Sequence, residues 1–247
     1  MLTFVLLVLA GIGAGLTGSM AGLASLISYP ALLATGLSPV AANVTNTVAL
    51  VFNSVGSVSA SRPDLVGQRR RLLWLLPLGV AGGAIGGLLL LISSPDSFAK
   101  IVPVLIGLSS LGVLLQRRSA TPRVAGGPDS RWLLPTAFVV GIYGGYFGAA
   151  AGVVLLAVVL AATRESLPRS NAVKNVVLGA ANAVAAVAFA VLGPVVWTSA
   201  LPLAIGCLVG GRLGPGVVRR APDRLLRSII AALGLGLAIY LGVGAYA

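Results

Sequence analysis

Apolar residues run along this chain in blocks, separated by short polar stretches that hold most of the arginines. A bilayer core of ~30 Å takes about 20 helical residues at 1.5 Å each. Blocks of that size occupy 39–60, 72–92, 97–116, 169–193, 199–218 and 224–245. Two more, 3–35 and 132–163, are too long for one simple helix. Glycine interrupts each of them, as "GIGAGLTGSMAG" at 11–22 and "GIYGGYFGAAAG" at 141–152. The pattern predicts an all-α polytopic membrane protein. The apolar start, "MLTFVLLVLAGIGAG", lacks the positive leading segment of a signal peptide and is read as part of the membrane domain.

The two interruptions align at an offset of 130. Gly11, Ile12, Gly15, Gly18, Ala21 and Gly22 meet Gly141, Ile142, Gly145, Gly148, Ala151 and Gly152. With one residue deleted, Pro39, Asn46 and Asn53 meet Pro168, Asn175 and Asn182. "LPL" at 76–78 then meets "LPL" at 201–203, and "PDSFAK" (95–100) meets "PDRLLR" (222–227). Landmarks in the same order predict an internal duplication, with one repeat over 1–118 and a second over 131–247. The polar, Pro- and Gly-bearing stretch 119–130 reads as the loop between them. Secondary transporters are commonly built this way, with substrate bound at the repeat interface. Duplication is also a simple route to a helical bundle.

Composition agrees with the membrane class. The chain is 57% hydrophobic and 9% charged, with mean hydropathy +1.03, whereas a soluble domain carries roughly 25% charged residues. Seventeen Lys and Arg against five acids give +12. These cations flank apolar blocks rather than forming a basic domain. They therefore read as a topology signal and not as a nucleic-acid surface. The expected surroundings are the lipid bilayer of the cell (inner) membrane, crossed several times. The single cysteine, Cys207, allows no intrachain disulfide, and there is no histidine. A metal site, a cofactor or catalytic residues have little to build on, so the chain is not expected to be an enzyme.

The residues resemble the sulfite exporter TauE/SafE family of membrane transporters over nearly the whole chain. The resemblance rests on the two-repeat plan and on the glycine-rich opening of each half ("GAGLTGSMAG", "GGYFGAAAG"). It rests also on the proline-to-polar helix start that follows ("SPVAANVTN", "LPRSNAVKN") and on "GVAGGAIGG" with its counterpart "GCLVGGRLG". It implies transport of sulfite, sulfoacetate or another small sulfur-containing or organic anion.

The arginines bear on topology. Those in the loops sit at 62, 69, 70 and 71, at 117, 118, 123 and 131, at 164 and 169, and at 219, 220, 224 and 227. Eight simple crossings would divide these loops between the two sides, against the positive-inside rule. If 132–163 enters and leaves on one side, all four basic loops become cytoplasmic. Residues 132–140 and 153–162, like 1–10 and 23–34, are each about half a bilayer long. Each repeat is then a Gly-broken or re-entrant segment plus three transmembrane helices, and the repeats are inverted. Inverted repeats are favoured over parallel ones, with kinked full crossings as the alternative.

The opening glycines let backbone N–H groups approach an anion, and the half-helix after each break presents a positive dipole end. On this basis Gly15, Gly18, Gly145 and Gly148 are candidate site residues, although close helix packing explains them equally well. Thr17, Ser19, Tyr143 and Tyr146 would add hydroxyl donors. Asn46 and Asn53 share one helix face, continued by Ser57. Asn171, Asn175 and Asn182 repeat that face, with Lys174 aligned on Thr45. Amides are costly in lipid, so the face looks inward, either to bond neighbouring helices or to line a shared site. Lys174 either snorkels to the interface or, with no acid in the spans to pair with it, offers its charge to an anion. The predicted substrate site comprises Lys174, Asn175, Asn182, Asn171, Thr45, Asn46, Asn53 and Ser19 with the four glycines. The expected function is secondary transport of a small anion, sulfite or an organosulfur or organic anion, by alternating access between the repeats. A channel-like anion pore and a non-transporting scaffold subunit are the rivals. A coupling ion and a homo-oligomer stay open.

Overall fold

The computed structural model describes residues 1–115, 130–163 and 165–218, together with 232, 235, 236 and 238–243. Most of the predicted 224–245 span, and the loops expected over 117–129 and 219–227, lie outside them. The elements are α1 (Leu2–Ala21), α2 (Ser25–Ala34), α3 (Pro39–Ala60), a 3₁₀ turn (Arg62–Leu65), α4 (Arg69–Ile92), α5 (Pro95–Leu115), α6 (Leu133–Tyr146), α7 (Ala151–Ala162), α8 (Leu167–Leu192) and α9 (Trp197–Val218). Among the described residues, α1, α4 and α8 are both long and apolar enough to cross a membrane. α3 has 22 residues, a sufficient length. Its hydropathy is lowered by Asn43, Thr45, Asn46, Thr47 and Asn53, all buried.

The breaks fall later than the glycine runs suggest. α1 continues through Gly11, Gly15 and Gly18 and stops at Gly22. There a left-handed residue (φ 79°) caps the helix, its N–H donating to Gly18 O. Glycine is the residue that adopts this conformation without strain. The first segment is therefore a 20-residue helix and a 10-residue helix, not the two equal halves 1–10 and 23–34. In the second segment α6 runs through Gly141 and Gly145 and the break spans 147–150. Gly148 and Ala150 both have positive φ there. The chain then returns to its starting end, because Ser130 N donates to Ala162 O (2.9 Å).

The earlier glycines serve close packing. A Cβ on Gly206 would lie 2.1 Å from Val8 O, and one on Gly210 would lie 2.1 Å from Ile12 O. Between α4 and α6, Cβ atoms on Gly82 and Gly86 would lie 2.6 Å from Phe138 O and 2.0 Å from Ile142 O. Small residues that let backbones touch drive helix association where lipid supplies no hydrophobic gradient. The two crossings repeat one contact pattern, at an offset of 130 for α1 and α6 and of 124 for α4 and α9. That register differs by one residue from the "LPL" match.

In both crossings the contacting positions ascend together, so α1 runs parallel to α9, and α6 to α4. α3 also runs with α9: Thr45 meets Val196, while Gly56 meets Leu208 and Arg212. α8 runs with α4, since Gly79, Gly83 and Gly87 meet Val177, Ala181 and Ala185. The end of α3 and the start of α8 lie together, because Arg169 donates to Val66 O (2.6 Å). The group α1, α3 and α9 thus runs opposite to α4, α6 and α8. Between the groups the two breaks touch. A Cβ on Gly22 would lie 2.3 Å from Gly152 Cα, and one on Gly152 would lie 2.4 Å from Gly22 Cα.

Candidate functional site

The touching breaks form part of the wall of a recess of about 400 Å³ of non-atom space, its open side included. α1 brings Gly18 to it, α3 brings Leu50, Asn53 and Ser54, and α8 brings Lys174, Asn175, Leu178 and Asn182. Ala24 and Ser25 at the head of α2, and Gly148 and Gly152 at the head of α7, complete it. Neither α2 nor α7 has a side-chain N-cap. Leu26 N, Ile27 N, Ala151 N and Val153 N donate to backbone carbonyls instead, and what both helices turn toward this region is the positive end of a helix dipole. No carboxylate is among the lining residues.

Lys174 is 1% exposed. Its Nζ donates to Gly18 O (3.1 Å), and the amides of Asn171 and Asn175 donate to Ser19 O (2.8 and 3.3 Å). These carbonyls belong to the last turn of α1; Gly18 O also accepts from Gly22 N, whereas Ser19 O lies past the last helical donor. Positive charge is favourable there, against the negative end of the helix dipole. Lys174 does not snorkel outward. It crosses to α1 and borders the recess. Asn43 does a similar task for α6, donating to Tyr146 O (2.9 Å).

Of the predicted site residues, Lys174, Asn175, Asn182, Asn53, Gly18 and Gly148 line the recess. The rest are placed elsewhere. Asn46 accepts from Ser28 Oγ (2.5 Å) and donates to Ser25 Oγ (3.2 Å), which occupies its amide with α2. Thr45 Oγ accepts from Val196 N (3.0 Å) just ahead of α9. Asn171 is a helix-end partner of α1. Gly15 and Gly145 sit in the glycine seams, where Cβ atoms would lie 2.6 Å from Cys207 O and 2.3 Å from Gly83 O. The hydroxyls expected to face a ligand turn to backbone instead: Thr17 to Gly13 O, Ser19 to Leu16 O and Tyr143 to Ala149 O. Ser57 donates to Ser54 O, and Tyr146 packs edge-on to Phe98.

Asn53 and Asn182 behave differently from Asn46. Asn53 Oδ1 is buried without a hydrogen-bond partner, although buried amides are normally satisfied. Sequence reasoning missed Ser25, Ser54, Gly22 and Gly152. Gly22 and Gly152 stood at the ends of the aligned motifs, where a helix-ending glycine is expected. Ser25 had no periodicity to mark it.

One end of the bundle is latched. Glu165 pairs with Arg71 (3.2 Å) and with Arg169 (3.1 Å), and Arg169 also holds Val66 O. Residues 61–71 are thereby tied to the start of α8. Burial pushes the Glu165 carboxyl up, but Gln68, Arg71 and Arg169 outweigh this and hold it below the ordinary carboxylate value. Lys174 and Asn53 each lie seven residues from this end of their helices, about 10 Å in.

No solved structure matches this chain. Among curated proteins, the chain is 28% identical to a probable membrane transporter protein of Escherichia coli K12, YfcA, covering 88% of this chain and 81% of that one. It is 27% identical to a probable membrane transporter protein of Haemophilus influenzae, covering 90% and 88%. With a probable membrane transporter protein of Sinorhizobium it shares 25% over 92% and 88%. The model of the sulfite exporter TauE/SafE family matches residues 7–241. The protein belongs to that family, and is a membrane transporter rather than an enzyme.

Proposed function

We propose that the protein is a secondary transporter of a small anion, sulfite or an organosulfur or organic anion, working by alternating access between its two halves in the inner membrane. The observation that carries this is Lys174, a buried lysine bordering a recess that no carboxylate lines. Taking a cation out of water is costly unless charge is returned to it, and Gly18 O is only a partial negative charge. A bound anion supplies the rest, with amide donors on Asn53, Asn175 and Asn182 and the positive dipole ends of α2 and α7 beside them. The family's description as sulfite exporters fits the same chemistry.

Two repeats of inverted topology, 1–118 and 131–247, support the alternating-access part. The supporting facts are the recurrent glycine contacts, the opposite directions of corresponding helices, and the mutual contact of Gly22 and Gly152. A residue that touches its own counterpart lies on a two-fold axis. On this reading all the basic loops are cytoplasmic, and the Arg71–Glu165–Arg169 latch closes the cytoplasmic end.

Purified protein in liposomes tests the proposal. Saturable uptake of sulfite or of one member of an anion panel is expected, with no steady conductance in a planar bilayer. Steady conductance would indicate a pore, and absence of any flux would indicate a scaffold.

A further inference from the structure

A second, smaller recess, about 260 Å³ of non-atom space with its open side included, adjoins the first. They share Ser25, Leu50, Gly148, Leu178 and Asn182. Their chemistry differs. The first has Lys174, Asn53, Asn175 and Ser54. The second adds Phe147, Ala151, Gly144 and Thr47. Thr47 directs its hydroxyl to Asn43 O (3.0 Å), and so adds no free donor. Phe147 is held edge-on by Tyr29 (5.3 Å) and Phe98 (5.9 Å), so the apolar wall is pre-formed. Binding sites of this kind place a few polar groups on one part of the ligand and apolar walls around the rest.

An inorganic oxyanion carries oxygens on all sides and gains nothing from an apolar wall, which leaves those oxygens unpaired. We propose that the second recess is a specificity pocket for a short apolar substituent on the anion. The substrate class is then a monoanionic acid with a methyl- to ethyl-sized group. Its charged head sits among Lys174, Asn53 and Asn175, and its tail lies against Phe147 and Leu178. This rests on the anion reading above and deepens it.

The test is binding of sulfite, methanesulfonate, ethanesulfonate and propanesulfonate to purified wild-type protein by calorimetry. Affinity is expected to rise about fourfold for each buried carbon up to ethanesulfonate, and to stop rising at propanesulfonate. In the Gly144→Val variant the new Cβ meets Leu178 at 3.4 Å and Ala151 at 3.8 Å, ordinary contacts, and the two added methyl groups are meant to narrow the pocket. The ratio of ethanesulfonate to sulfite affinity should then fall at least fourfold. Leu178→Ala, which widens the pocket, should move the optimum to propanesulfonate, and keeps the test available if Gly144→Val does not fold. Equal affinity along the series, or ratios that neither variant moves, would overturn this inference alone. Failure of every anion to bind wild-type protein would overturn the anion reading and this inference with it.

Discussion

α3 and α8 look like copies of one polar helix. Each has a proline within its first two residues, and each carries asparagines seven residues apart. Their polar residues nevertheless have different partners. α3 joins Asn46 to Ser25 and Ser28, Asn43 to Tyr146 O and Thr45 to Val196 N. α8 directs Asn171, Lys174 and Asn175 to two carbonyls in the last turn of α1, Gly18 O and Ser19 O. Only α8 places a charge there. In a membrane domain the groups at broken helix ends must be satisfied by protein, and the first turns of both helices do this. Beyond those turns, Asn53 on α3 and Asn182 on α8 reach the recess. Polar residues in such helices therefore divide by depth into helix-end partners and recess-lining groups, and two neighbours on α8, Lys174 and Asn175, are both.

The largest effect is expected where the recess itself is filled. Gly18 faces Asn53 of α3, and its Cβ would sit 2.6 Å from Ala24 Cβ. Gly148 borders Asn182 of α8. Gly18→Leu and Gly148→Leu should each abolish uptake while the protein still reaches the membrane fraction. Normal uptake by both would place the recess off the pathway.

The division by depth predicts unequal asparagines. Asn53→Ala should raise the half-saturating anion concentration by about ten- to a hundredfold, the loss of one hydrogen bond to a charged group. Asn46→Ala should leave that concentration unchanged and lower the unfolding temperature by a few degrees, since it removes two neutral hydrogen bonds of about 1 kcal/mol each. Equal effects on affinity would erase the distinction between the two sites on α3.

The latch should affect rate more than affinity. Glu165→Gln removes both ion pairs and is expected to change turnover a few-fold, with the half-saturating concentration held. The carboxyl is held below its ordinary value of 4.5. The latch is therefore complete above that value and is lost only as pH falls below it, so turnover between pH 6 and 8 should not vary through Glu165. A turnover identical to wild type would show that the latch does not gate.

The smallest perturbation tests orientation. In a Cys207→Ala background, Val66→Cys at the latched end should escape an impermeant thiol reagent in intact cells, while Ser97→Cys at the opposite end should be labelled. Both positions are exposed. The reverse pattern would invert the topology.

Much of this architecture could be read from periodicity. The span blocks returned as helices over 39–60, 72–92, 97–115 and 169–192 with small shifts at their ends. The breaks were misplaced because glycine has two uses, and a single sequence does not separate them. Gly11 and Gly15 permit backbone contact with α9 inside a continuous helix, whereas Gly22 ends it. The site was half legible for a related reason. A seven-residue spacing puts Asn46 and Asn53 on one face. Only the tertiary fold shows that Ser25 and Ser28 are already waiting at Asn46.

Lys174 decides the account. Glutamine at this position keeps a donor for Gly18 O but removes the charge, so it separates the helix-end role from the anion role. Equilibrium binding of the transported anion should be measured on wild-type, Lys174→Gln and Lys174→Arg protein. Lys174→Gln should weaken binding by at least about tenfold, and Lys174→Arg should retain part of it. Unchanged affinity in Lys174→Gln, in a protein that still folds, would reduce Lys174 to a cap for α1 and contradict the proposed site.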